Sequence, residues 1–290
     1  GSSCWFPTID APNQKTTQEI YITVPKKYVT LSNGALISQT TQETTRTDYW
    51  KMDKKHAPYL VFLGVGEFEI IKDVYKDLEV SYYIEKEYAK YAKDIFGNTP
   101  EMLQFFSNKL GVAYPWSKYS QMVVRDYVSG AMENTTAVVH GEQALQTRGQ
   151  LIDENTQENT IAHELFHHWF GDLVTCESWA NLPLNESFAT YGEYIWREKG
   201  FGRMEADMHL DADLKSYLRE SKSKKVDMIR FDYNDKEDMF DSHSYAKGGR
   251  ILHMLRHYLG EDAFYNGLKK YLNDNAYNSV EIHQLRIAME

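Results

Sequence analysis

Two hydrophobic patterns divide the chain. From residue 5 to about residue 84, apolar and polar positions alternate in short runs. Glu19-Ile20-Tyr21-Ile22-Thr23-Val24 has the period of two that turns one face of a strand to a core and the other to water. Parts of Tyr59 to Ile70 and of Leu78 to Ile84 repeat it. Ser32-Asn33-Gly34 carries hairpin turn chemistry. The Thr-rich stretch from Thr40 to Thr47 reads as a strand edge or loop. Near Ile84 the period becomes helical, and Glu85 to Ile95 is one expected helix. Thr99-Pro100-Glu101 opens another, with a cap residue, proline at the first position and an early acid, and Gly111 stops it. Tyr119 to Tyr127 reads as a strand leading into Gly130-Ala131-Met132-Glu133-Asn134. From Gln157 onward the chain is mostly helical, with breaks near Gly200, from Ser221 to Lys225, and near Gly260. A strand-rich part followed by a helix-rich part predicts an α+β protein of two domains, residues 1–80 and 81–290.

One helical stretch carries chemistry. Thr160 to Gly171 contains His163-Glu164-x-x-His167. Histidines four residues apart on a helix share a face, one turn above the other, and can reach one ion. Neutral imidazole is a good zinc ligand. Glu164 projects from the edge of that face, where a carboxylate can act as general base on a water at the metal. Such a short motif also arises by chance, so a third ligand decides the reading. Glu186 follows in Asn185-Glu186-Ser187, near the start of an expected helix with Pro183 in its first turn and Gly200 beyond its end. Two His and one Glu leave a fourth tetrahedral position open, the catalytic arrangement of zinc. Metzincins need Gly and His at the third and sixth positions after the second His, where this chain has Phe170 and Leu173. His168 is turned about 100° from the metal face and is expected to pack or to make a supporting hydrogen bond.

Composition narrows the class. With 42% apolar residues the chain can build a proper core, and 21 tyrosines suit a peptide groove. The net charge of −10 excludes the basic footprint of a nucleic-acid binder. No run of about 18 apolar residues is present to span a membrane. Cys4 and Cys176 give neither a metal spacing nor a disulfide framework and are expected to be buried free thiols. The acidic stretch from Asp232 to Asp238 lacks the glycine and terminal glutamate of a calcium loop and reads as solvated.

Four motifs together resemble the aminopeptidase N family of zinc peptidases, the gluzincins that include leukotriene-hydrolase-like aminopeptidases. They are Gly130-Ala131-Met132-Glu133-Asn134, the His163-to-His167 motif running into Trp169-Phe170-Gly171, Asn185-Glu186, and Tyr245-Ala246-Lys247-Gly248. Cys4 to Pro12 also looks like a stretch of that family's amino-terminal β domain. The resemblance implies a partial saddle-like β domain followed by a thermolysin-like catalytic domain. It assigns one zinc ion to His163, His167 and Glu186, and the general base to Glu164. Glu133 would bind the free α-amino group of a peptide, with Gly130, Ala131, Met132 and Asn134 around it, the Gly130-Ala131 backbone pairing with the substrate as an added strand. Tyr245 would donate its hydroxyl to the oxyanion. The activity implied is removal of the amino-terminal residue of peptides through a zinc-activated water.

The chain departs from the family pattern in several places. By the resemblance, the sequence is expected to begin partway through the β domain, short of the upstream segment that supplies a glutamine to the amine site, and to end at Glu290 short of the helical carboxy-terminal domain. His168 stands where the family often has Gln, and Ser187 where it often has Gly. Two other readings compete: epoxide hydrolysis alongside peptidase activity, and a non-catalytic zinc-stabilised binding module. A binder has no need of Glu164 or Tyr245, and nothing in the sequence marks a lipid tunnel.

Overall fold

A computed structural model describes residues 1–153, 155 and 157–290. Strands come first: β1 (Thr16–Pro25), β2 (Val29–Ser32), β3 (Ala35–Thr41), β4 (Thr45–His56), β5 (Leu63–Gly66), β6 (Glu69–Tyr75) and β7 (Leu78–Ile84). Then α1 (Ala92–Phe96) and α2 (Thr99–Leu110) precede β8 (Lys118–Val123), β9 (Ala131–Met132) and β10 (Ala137–His140). The remainder is mainly helical: α3 (Arg148–Asp153), α4 (Gln157–Phe166), α5 (Pro183–Phe201), α6 (Arg203–Glu220), α7 (Gly248–Leu259), α8 (Glu261–Asp274) and α9 (Ile282–Met289), with β11 (Thr175–Cys176) and β12 (Ser279–Val280) as a short parallel pair. A β-rich part followed by a helical region is the expected order. Among the described residues no helix is long and apolar enough to cross a membrane.

The chain divides into two compact units. Unit 1 is Gly1–Asp10, Gln14–Gln104 and Pro115–Glu164, and unit 2 is Ala11–Asn13, Phe105–Tyr114 and Leu165–Glu290. In unit 1, β1, β4 and β3 form an antiparallel sheet. Its alternation buries Ile22 and Val24, which pack with Leu31, Trp50, Tyr83, Met122 and Ala137. The second sheet has the order β6-β7-β8-β10-β9. β7, β8 and β10 are mutually parallel and central, so all six residues of β8 are buried. Burial on both faces is what a parallel sheet interior requires. β7 runs across residue 80 and pairs with β8.

Unit 2 is held by aromatic rings. Phe170 and Phe188 stack with centroids 4.2 Å apart and planes 1° apart. Phe166 stacks on Phe170 at 5.1 Å, and Tyr271 lies 6.1 Å from it. These rings join the segment after α4 to α5 and α8.

Four local expectations are corrected. Ser32-Asn33-Gly34 is a turn but not a hairpin, because β2 pairs with β5 while β3 pairs with β4. The buried Asn33 side chain donates to the carbonyls of Leu60 and Thr135 and accepts from the Phe62 N–H, sending the two strands to different sheets. The helix expected over Glu85 to Ile95 is a 3-10 turn, Ala89–Tyr91, followed by the short α1. α5 runs through Gly200 to Phe201 and ends at Gly202, whose φ of 86° breaks the helix. Both cysteines are free, but Cys4 is exposed and only Cys176 is buried.

Candidate active site

Three of the expected residues come from one stretch. His163 and Glu164 belong to α4, and His167 follows its last residue while the chain is still turning. One helical turn separates the two histidines, so their side chains leave the same side. The helix tightens there: the His168 N–H bonds to the Leu165 carbonyl and the Trp169 N–H to the Phe166 carbonyl, both at 3.1 Å. Glu164 is 6% exposed.

Unit 2 fixes the chemistry of His167. Its Nδ1 lies 3.0 Å from the Phe170 carbonyl oxygen. A carbonyl only accepts, so Nδ1 carries a hydrogen and Nε2 is left to face Glu186, 3.3 Å from Oε2. Both residues are buried. A lone pair and a carboxylate oxygen facing each other out of water need a cation between them, either a proton on Nε2 or a metal ion. The second-nitrogen hydrogen bond is also how a protein orients a ligating imidazole. His163, His167 and Glu186 could together hold a metal ion, and their donor types fit zinc.

The backbone around His167 is specialised. Gly171 has φ 140°, and a Cβ there would lie 3.1 Å from His167 Nδ1. Its N–H donates to the Val174 carbonyl at 2.8 Å, turning the chain back beside the ring. Glu186 sits in the first turn of α5, with Pro183 at the start. The neighbouring Asn185 Oδ1 accepts the Cys176 N–H at 3.1 Å and holds that turn. His168 is fully buried, with Nε2 3.7 Å from Asp172 Oδ2 and its ring centroid 5.6 Å from that of Tyr114.

Unit 1 carries the other expected group. Ala131 and Met132 form β9, antiparallel to β10 and at the edge of the five-stranded sheet. An edge strand offers backbone hydrogen-bonding groups to a further strand. Gly130 enters it, its carbonyl accepting from Gly141 N–H at 2.9 Å and Gln143 Nε2 at 2.8 Å. Glu133 and Asn134 follow, each 6% exposed, and Asn134 Nδ2 donates to the Leu60 carbonyl. Burial first, and then the negative charges of Glu164 and Glu133, push the Tyr127 phenol up to about 12. Tyr127 therefore belongs to the electrostatic surroundings of both acids. Sequence reading missed it, because the last residue of an expected strand carries no signal of charge nearby.

Tyr245 lies in unit 2 on a π-helical turn, His243–Lys247, ahead of α7. Its N–H donates to the Asp241 carbonyl at 3.1 Å. Ser187, next to Glu186, donates its hydroxyl to the Ser244 carbonyl at 2.7 Å. A Cβ on Gly248 would lie 1.7 Å from Ser187 Oγ, so this close approach requires glycine.

Comparison with known proteins matches two family domains along the chain. The peptidase M1 N-terminal domain matches residues 1–60, and the peptidase family M1 domain matches residues 95–290. The chain is 33% identical over 298 residues to Tricorn protease-interacting factor F2 of Thermoplasma volcanium, covering 100% of this chain and 37% of that protein. It is 31% identical over 295 residues to Endoplasmic reticulum aminopeptidase 1 of Homo sapiens, covering 97% and 31%. Aminopeptidase N of Streptomyces lividans is 30% identical over 299 residues, covering 98% and 34%. The chain thus spans about a third of the length of these curated relatives. The M1 domain accounts for residues 95–290, well over half of the chain, and the motifs around His163, Glu186 and Tyr245 all fall inside it, so this protein belongs to the M1 family of peptidases.

Proposed function

We propose that the protein is a zinc-dependent aminopeptidase that removes the amino-terminal residue of peptides, with residues 81–290 as a thermolysin-like catalytic domain. The observation that carries the reading is the buried approach of His167 Nε2 to Glu186 Oε2, one helical turn from His163, which Glu164 follows in sequence. His163, His167 and Glu186 would hold one zinc ion. Zinc, when bound, supplies a Lewis acid and lowers the pKa of water to about 7.

The remaining roles fall to the chain itself. Glu164 accepts the proton of the attacking water and later gives it to the leaving amine. Tyr245 donates a hydrogen bond to the oxygen of the scissile carbonyl as negative charge develops there. Glu133 pairs with the α-ammonium and so measures the free end of the peptide. The exposed side of β9, from Gly130 through Met132, aligns the substrate backbone as an added strand. Asn134 fixes the chain behind Glu133 through its bond to Leu60.

Chelation tests this directly. Turnover of an aminoacyl reporter is expected to vanish on dialysis against a chelator and to return with one equivalent of zinc. Turnover that survives complete metal removal overturns the proposal.

A further inference from the structure

The turn that presents Tyr245 is an unusual piece of backbone. A π-helical turn is wider than an α-helical one and rarely forms without support. Its support converges on Asp241. The Asp241 Oδ1 accepts the N–H groups of His243 and Ser244, each at 3.0 Å. The Asp241 carbonyl accepts the N–H groups of Ser244 at 3.0 Å and Tyr245 at 3.1 Å. One residue therefore satisfies the first three N–H groups of the turn, donors that a helix start otherwise leaves without partners.

The other carboxylate oxygen is anchored from a different segment. Oδ2 takes Arg230 Nη2 at 2.6 Å and Lys224 Nζ at 2.7 Å. The same two cations also donate to the Asp238 carbonyl, each at 2.7 Å. Glu220, at the end of α6, accepts the Ser242 N–H at 2.8 Å and lies 3.1 Å from His243 Nδ1. Ser244 Oγ donates to the Met239 carbonyl at 2.6 Å, and Ser187 Oγ to the Ser244 carbonyl at 2.7 Å. The Tyr245 turn is thus tied at its start, along one side to α6, and along another to the residue beside Glu186.

Glu220, Asp241 and His243 have ligand atoms close enough together for a metal ion. Lys224 and Arg230 already supply the positive charge such an ion would bring, within hydrogen-bond distance of Asp241 Oδ2. Asp241 is also buried, at 8% exposed. A buried carboxylate spent on two backbone N–H groups and two cations is built to hold geometry.

We propose that Asp241 is a positioning residue that sets the Tyr245 hydroxyl for oxyanion stabilisation by capping the π-helical turn and clamping it to Arg230 and Lys224. The proposal rests on the role given to Tyr245 above. Misplacement by about 1 Å can cost on the order of 10²-fold in rate, so loss of Asp241 is expected to lower kcat and leave KM and bound zinc unchanged.

The test is a double-mutant cycle of Asp241→Ala and Tyr245→Phe in the intact protein, read as kcat and KM on an aminoacyl substrate with zinc content measured alongside. Asp241→Ala is expected to lower kcat about 10- to 10²-fold when Tyr245 is present, and not at all when Tyr245→Phe is already in place. An equal loss of kcat in both backgrounds overturns the proposal, because a general structural fault would act regardless of Tyr245. Unchanged kcat in Asp241→Ala also overturns it. Full kcat in Tyr245→Phe alone overturns the Tyr245 role and the proposal with it, whatever Asp241 does. If Asp241→Ala does not fold, Asp241→Asn takes its place in the cycle. It keeps an oxygen for the two N–H groups but loses the charge clamp, and the same cancellation in the Tyr245→Phe background is expected.

Discussion

Glu164 stands on a regular helix whose following turn carries His167, whereas Tyr245 stands on a π-helical turn held by side chains from elsewhere in unit 2. The helical turn from His163 to His167 sets these residues relative to one another, and the bond between His167 Nδ1 and the Phe170 carbonyl spans only three residues. The Tyr245 turn depends on Asp241 just before it, and through Asp241 on Lys224 and Arg230 more than ten residues upstream. It also depends on Ser187 in another helix. In the proposed mechanism one group is fixed by local geometry and another by a tertiary network. Variants near the two should fail differently.

The largest effect is expected at the locally fixed group. Glu164→Gln removes the proton acceptor without altering the helix and is expected to lower kcat by about 10²–10⁴-fold with zinc retained. Steady-state kinetics with metal analysis checks this, and a near-normal rate would remove Glu164 from the mechanism. Tyr245→Phe comes next, at about 10²–10³-fold in kcat with KM unchanged, the scale of one lost oxyanion donor. A raised KM with kcat intact would instead make Tyr245 a ground-state binding group.

The same contrast explains what the sequence made legible. The histidine pair could be read because helical spacing is local, and strand β1 because alternation is local. Tyr245 could not be picked from 21 tyrosines without a family resemblance, since the partners that shape its turn are scattered from Ser187 to Asp241. The Asn33 turn misled for a similar reason. Its composition suits a hairpin, but its side chain bonds to Leu60, Phe62 and Thr135, which no short window contains. Gly200 misled because glycine ends a helix only where the backbone needs a positive φ, and that position is Gly202. The raised pKa of the Tyr127 phenol was hidden because burial, and then the charges of Glu164 and Glu133, set it.

A smaller effect probes unit 1 away from the chemistry. Burial pushes His56 down to about 3, helped by the charge of Lys15, and burial pushes His140 down to about 3. Both rings stay neutral in the folded protein while their unfolded counterparts protonate near pH 6.5. The unfolded state then binds more protons as pH falls, so these two rings lower stability progressively from about pH 6.5 toward pH 3. Ring proton NMR should show both signals at neutral shifts down to about pH 4, and a midpoint above about pH 5 for either would contradict the burial argument.

The proposed function is recognition and cleavage at the free amino end of a peptide. Its most direct measurement compares one peptide with a free and with an acetylated amino terminus, using the wild-type protein and Glu133→Ala. Cleavage of the free peptide only is expected, with a collapse of that cleavage in Glu133→Ala, because the α-ammonium has lost its carboxylate partner. Efficient cleavage of the acetylated peptide by the wild-type protein would contradict it and would make the enzyme an endopeptidase.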